Sequence, residues 1–168
     1  MLIDFNNVKD KLNKIRTGEI KEGEKIGVPA IDDYIRFKEG NFNVILGHAN
    51  VGKTTVILYL MLVFAKRLNK RWLIFSSENE PHSILRKLVE FLEQKPITKI
   101  SEEIFNEHLD FINEYFKIID NGQLYTYRQI IELATAYKKA WNYHGLLIDP
   151  YNSLIKDNEL MKSLGGHE

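Results

Sequence analysis

Residues 46–59 read LGHANVGKTTVILY, in which Gly47 and Gly52 bracket four residues and Lys53-Thr54 follows at once. This is the G-x-x-x-x-G-K-[ST] spacing, and each fixed position answers a demand of phosphate chemistry. The glycines let the chain turn tightly and bring backbone N–H groups against anionic oxygens. A helix N-terminus behind the turn adds the positive end of its dipole. The lysine reaches the β- and γ-phosphates as a point charge, and the threonine hydroxyl suits Mg²⁺. The nucleotide-binding positions predicted here are Gly47, His48, Ala49, Asn50, Val51, Gly52, Lys53 and Thr54. The imidazole of His48 is given no role of its own.

Phosphate chemistry on a metal also needs a carboxylate, and a strand end supplies a candidate. Asp149 closes the apolar run GLLID at 145–149, so its side chain is expected to emerge beside the loop and, with Thr54, to serve the metal. Water must then be oriented or deprotonated. The stretch FSSENEP places Glu78 and Glu80 just past another strand-like run; Glu78 is the predicted base, with Glu80 the alternative. Plain alternatives stand beside these roles. Asp149 could simply end a strand in a turn before Pro150, and the two glutamates could be a solvated loop, with Glu80 suiting a helix N-terminus. The basic cluster Lys66-Arg67…Lys70-Arg71 sits at a helix C-terminus, where cations favour the dipole, and is read as structural.

Positioning such groups takes strands that end at one edge and helices that cover them. FNVILG at 42–47 reads as a strand into the loop, and 51–68 as the helix leaving it. RWLIFSS at 71–77 is a second strand, followed by a helix from Pro81, a residue suited to the first turn. A helix from Ser101, a strand FKIID at 116–120, a helix from about 126 and the strand at 145–149 complete the pattern. Short apolar runs alternating with helices predict an α/β fold with a parallel sheet flanked by helices. Ahead of it, FNNVKDKLNKIR at 5–16 places Val8, Leu12 and Ile15 on one helical face, ended by Thr17-Gly18. That helix either folds back on its own domain or docks on a neighbouring subunit. The predicted division is 1–23, linker helix and linker, and 24–168, the core.

Bulk composition narrows the class. A chain of 168 residues, 44% apolar and 27% charged, can bury a core as one ordinary domain. Lys plus Arg equals Asp plus Glu at 23 each, which excludes a fold-wide basic footprint for nucleic acid but not a local patch. Without cysteine there is no disulfide or thiolate metal site. The longest apolar run, VILYLMLVFA, is too short to cross a bilayer, and no secretory signal opens the chain. A cytoplasmic protein with no membrane partner is expected.

Four stretches in order, IGVPAIDDYI, GHANVGKTT, FSSENEP and GLLIDPYNSL, resemble the RecA-like ATPase core of hexameric replicative DNA helicases, of the DnaB-type and Twinkle-like branch. The resemblance covers about residues 24–168. It implies a P-loop NTPase with ATP and Mg²⁺ as ligands. Lys53 and Thr54 become the Walker A pair, Thr55 lies near the α-phosphate, Asp149 is the Walker B aspartate and Glu78 the catalytic glutamate. Residues 5–16 match the linker helix that such proteins dock on a neighbour. Pro150-Tyr151 after Asp149, where DnaB relatives carry tyrosine directly, points to the Twinkle-like or phage-type branch.

The function this implies is a motor that translocates single-stranded DNA as a homo-oligomeric ring, a hexamer in the complete protein. The alternatives are a nucleotide-gated binding module, such as a helicase loader, and a recombinase-type filament ATPase. Cores of this type carry further strands, a γ-phosphate sensor, DNA-contacting loops and an arginine finger beyond Walker B. These do not fit in the residues after Asp149, so a fragment that binds ATP but hydrolyses it slowly is expected.

Overall fold

The computed structural model describes residues 3–20 and 23–154. Two compact units result, Met1–Val44 and Ile45–Glu168. Residues 24–44, which motif order assigns to the core, therefore group with the N-terminal helix.

In the first unit, helix α1 (Phe5–Arg16) starts at Asp4, whose carboxylate accepts from the Asn6 amide at 3.0 Å. It ends with Lys14 and Arg16 in the last turn, where cations meet the orphan carbonyls. None of its residues is buried, and Val8 and Leu12 on the apolar face are exposed. Two strands of two residues, β1 (Glu24–Lys25) and β2 (Arg36–Phe37), pair antiparallel, with turns at 29–34 between them. No periodicity announces a pairing so short.

The second unit is α/β. Helix α2 (Lys53–Leu68) leaves the glycine loop and is followed by β3 (Trp72–Ser76), α3 (Pro81–Glu93), α4 (Glu102–Tyr115), β4 (Phe116–Ile118), α5 (Tyr127–Ala140) and β5 (Gly145–Asp149). The three strands form one parallel sheet in the order β4-β3-β5. Central β3 is buried at every residue, as expected for a parallel strand covered on both faces. On one face Leu73 and Phe75 pack with Ile130 and Ala134 of α5 and with Leu146 and Ile148 of β5. On the other, the ring of Trp72 lies 5.6 Å from that of Phe64 in α2.

Local chemistry sets the helix ends. Thr126 and Gln129 form a reciprocal capping box at the start of α5. Asn69, in the left-handed region, stops α2. Arg71 from the basic cluster is engaged in packing: its guanidinium stands 5.9 Å from the Trp141 ring centre and its amide donates to His144 Nδ1 at 2.9 Å.

One expected strand is missing. Residues 42–47 form no strand, and Phe42, Val44, Ile45 and Leu46 are exposed. A strand exists only through its ladder, and among the described residues β5 pairs with β3 alone, so nothing here offers these residues a partner.

Between α3 and α4, Glu93 accepts from Lys95 Nζ at 2.8 Å and meets His108 Nε2 at 3.2 Å. The hydrogen bond from Lys95, then that from His108, holds the Glu93 carboxyl below its usual range. A depressed carboxylate contributes stability above its unfolded pKa and loses it as pH falls through the folded one. Glu93→Gln is thus expected to make the loss of stability between neutral and acid pH shallower, read by denaturation midpoints across that range.

Gly145 faces Trp72 directly in the β3–β5 register, and a Cβ there would stand 2.2 Å from Trp72 Cζ3. Gly145→Ala should cost about 1–3 kcal/mol, the usual penalty for overpacking, measured by urea unfolding.

Candidate functional site

The glycine loop runs from Gly47 to Gly52 and delivers the chain into α2. Gly52 is the N-cap with φ +87°, in the left-handed region, and Asn50 is left-handed too at φ +60°. Gly47 is needed for space: a Cβ on it would come 3.3 Å from both Lys53 Cδ and Val51 Cγ2. The Lys53 ammonium bends back over the turn and donates to the carbonyls of Gly47 at 2.9 Å and His48 at 2.7 Å. His48, Ala49, Asn50 and Val51 are exposed along the rim, as is Thr55.

A side-chain hydrogen bond joins the loop's helix to the sheet. Thr54 Oγ1 donates to Asp149 Oδ2 at 2.7 Å, joining the first turn of α2 to the end of β5. Two strand ends lie level here, with Ser76 of β3 opposite Asp149 of β5. The chain past β3 is held in place: the Ser77 amide donates to the Asp149 carbonyl at 3.1 Å, and the Ser77 hydroxyl touches that of Ser153. Glu78 stands on this turn, exposed, with no hydrogen-bond or ion-pair partner among the described residues. Glu80 is the N-cap residue of α3, and its carbonyl accepts from the amides of Ser83 and Ile84.

Three polar residues that motif spacing does not pick out complete the edge. Ser76, only 2% exposed, accepts at Oγ from both the amide and the side chain of Asn79, each at 3.1 Å. The Asn79 side chain also reaches Asp149 Oδ2 at 3.4 Å. Asn121, just past β4, donates to the carbonyls of Ser76 at 2.9 Å and Asn79 at 3.4 Å. A Ser–x–x–Asn turn after a strand is a readable signal in FSSENEP. Asn121 joins it only because β4 lies beside β3.

Thr54 and Asp149 offer two adjacent hard oxygen donors, the kind Mg²⁺ takes while leaving its other positions to phosphate and water. Among the described residues no three His, Asp or Glu side chains converge on a further metal position. The donor set therefore fits an ion whose remaining ligands come with a nucleotide. No family model matches the chain, and no curated protein or solved structure matches it either.

The turn geometry carries its own test. Gly52→Ala forces a side chain into the left-handed region and is expected to cost about 1–2 kcal/mol in urea unfolding, although a Cβ there would touch nothing.

Proposed function

We propose that this chain is the ATP-binding and hydrolysing core of a P-loop NTPase of RecA-like fold, the motor of a replicative DNA helicase. The observation that carries the nucleotide reading is the 2.7 Å bond from Thr54 to Asp149. It brings the hydroxyl and carboxylate that the G-x-x-x-x-G-K-[ST] loop requires into contact from opposite ends of the unit. The order of the four motifs, from IGVPAIDDYI to GLLIDPYNSL, supports the motor reading. In that reading the complete protein assembles as a hexameric ring around single-stranded DNA.

In hydrolysis the loop's backbone N–H groups and the N-terminus of α2 cradle the phosphates. Lys53 exchanges its two carbonyl partners for phosphate oxygens and neutralises charge there. Thr54 and Asp149 would hold Mg²⁺, which when bound would supply neutralisation of phosphate charge. Glu78, exposed on its turn, accepts a hydrogen bond from the attacking water and aligns it. Catalysis of this kind is positioning and charge stabilisation, with no covalent enzyme intermediate.

Binding of a fluorescent ATP analogue and single-turnover hydrolysis test this directly. Lys53→Ala should weaken binding roughly tenfold or more, the scale of a lost charge-assisted hydrogen bond. Glu78→Gln should bind as the parent does and slow hydrolysis by about 10²–10⁴-fold. A parent chain with no ATP affinity, or binding indifferent to Lys53→Ala, would overturn the nucleotide reading. Negative-stain images with ATP address the ring: closed rings support the motor, and persistent monomers count against it.

A further inference from the structure

We infer that Asn79 is a positioning residue of this site: its side-chain amide ties the turn carrying Glu78 to the metal-side carboxylate of Asp149, and Asn121 braces that turn from behind. The inference rests on the nucleotide-hydrolysing reading above and adds to it residues that no loop or strand-end motif selects.

Three features lead there. Asn79 Nδ2 is shared between Ser76 Oγ at 3.1 Å and Asp149 Oδ2 at 3.4 Å, so one amide spans the ends of β3 and β5. Asp149 Oδ2 in turn receives both Thr54 Oγ1 and Asn79 Nδ2, and two donors arriving from different elements fix the rotation of the carboxylate. The third feature is the anchor. Ser76 is buried in the sheet, and Asn121 Nδ2 links its carbonyl to that of Asn79, closing the turn across β3 and β4. Glu78 lies between these pinned residues and has no partner of its own among the described residues, so its place is set by theirs.

The chemistry of an amide suits the position. A lysine would satisfy Asp149 but compete with a metal cation for it, and an aspartate would set a second negative charge against Asp149. A neutral donor orients the carboxylate and leaves its charge available. The same side chain thus couples the two carboxylates with separate duties, one on the metal side and one on the water side.

The test compares Asn79→Ala and Asn121→Ala with the parent full chain by amide hydrogen exchange, by fluorescent-ATP affinity in EDTA and in Mg²⁺, and by single-turnover hydrolysis. In Asn79→Ala, exchange at residues 77–79 is expected to quicken roughly fivefold, the scale of one lost hydrogen bond. Affinity in EDTA should stay parental, while the gain in affinity given by Mg²⁺ and the hydrolysis rate each fall about 10–100-fold, the usual effect of removing an outer-shell partner. Asn121→Ala does not touch Asp149. It should quicken exchange and slow hydrolysis yet keep the Mg²⁺ gain. Parental exchange in both variants, or a parental Mg²⁺ gain in folded Asn79→Ala, would overturn this inference while leaving the nucleotide reading intact. A parent chain that binds no nucleotide in either buffer would overturn that reading and the inference with it.

Discussion

The parallel ladder between Trp72–Ser76 and Gly145–Asp149 is the constraint on which the rest of the second unit depends. Its register brings the two strands to the same level, so the residues that follow each of them share one edge. A slip of one residue would turn Asp149 to the opposite face of the sheet and break its contact with Thr54. Gly145 defends the register at the other end, because only a residue without a side chain fits against the ring of Trp72. Strand ends and loop are thereby made one rigid reference for polar groups that must agree to within fractions of an ångström.

The burial pattern shows how that reference is kept stiff. Every residue of β3 is removed from water, with α5 on one side and the Phe64–Trp72 contact on the other. At the ends of β3 and β5 polar side chains gather and find partners: Ser76 with Asn79, Asn121 with two carbonyls, Thr54 with Asp149. Satisfied networks of this kind specify geometry, since any rearrangement would leave a buried donor or acceptor without a mate.

Much of this was legible beforehand, for reasons that differ by residue. The glycine loop and its helix are local events, so spacing alone locates Gly52 and Lys53. Strands β3 and β5 were readable because buried parallel strands are short unbroken apolar runs. Residues 42–47 have the same composition and form no strand, because sequence records that a segment is fit for a ladder but not whether a partner stands beside it. The pairing of Glu24–Lys25 with Arg36–Phe37 escaped for the opposite reason, being too short to leave a period. Asp149 could be chosen from its strand and Asn79 from the Ser–x–x–Asn turn after β3, but Asn121 could not, because its place arises from strand order. Glu78 is legible from its place after β3, and the structure leaves it unpartnered among the described residues on a turn held at both sides.

The hold of Lys53 on the carbonyls of Gly47 and His48 carries a thermodynamic consequence. An anion arriving at the loop would meet a cation already solvated by the protein, so association would be an exchange of partners. Any affinity would then be a difference between two sets of contacts, and weak or singly charged oxyanions would gain little from the trade. On the nucleotide reading proposed above, such a loop would discriminate by charge density before any base or sugar is recognised. A change that loosened the carbonyl contacts would tighten every anion at once and erode that selectivity.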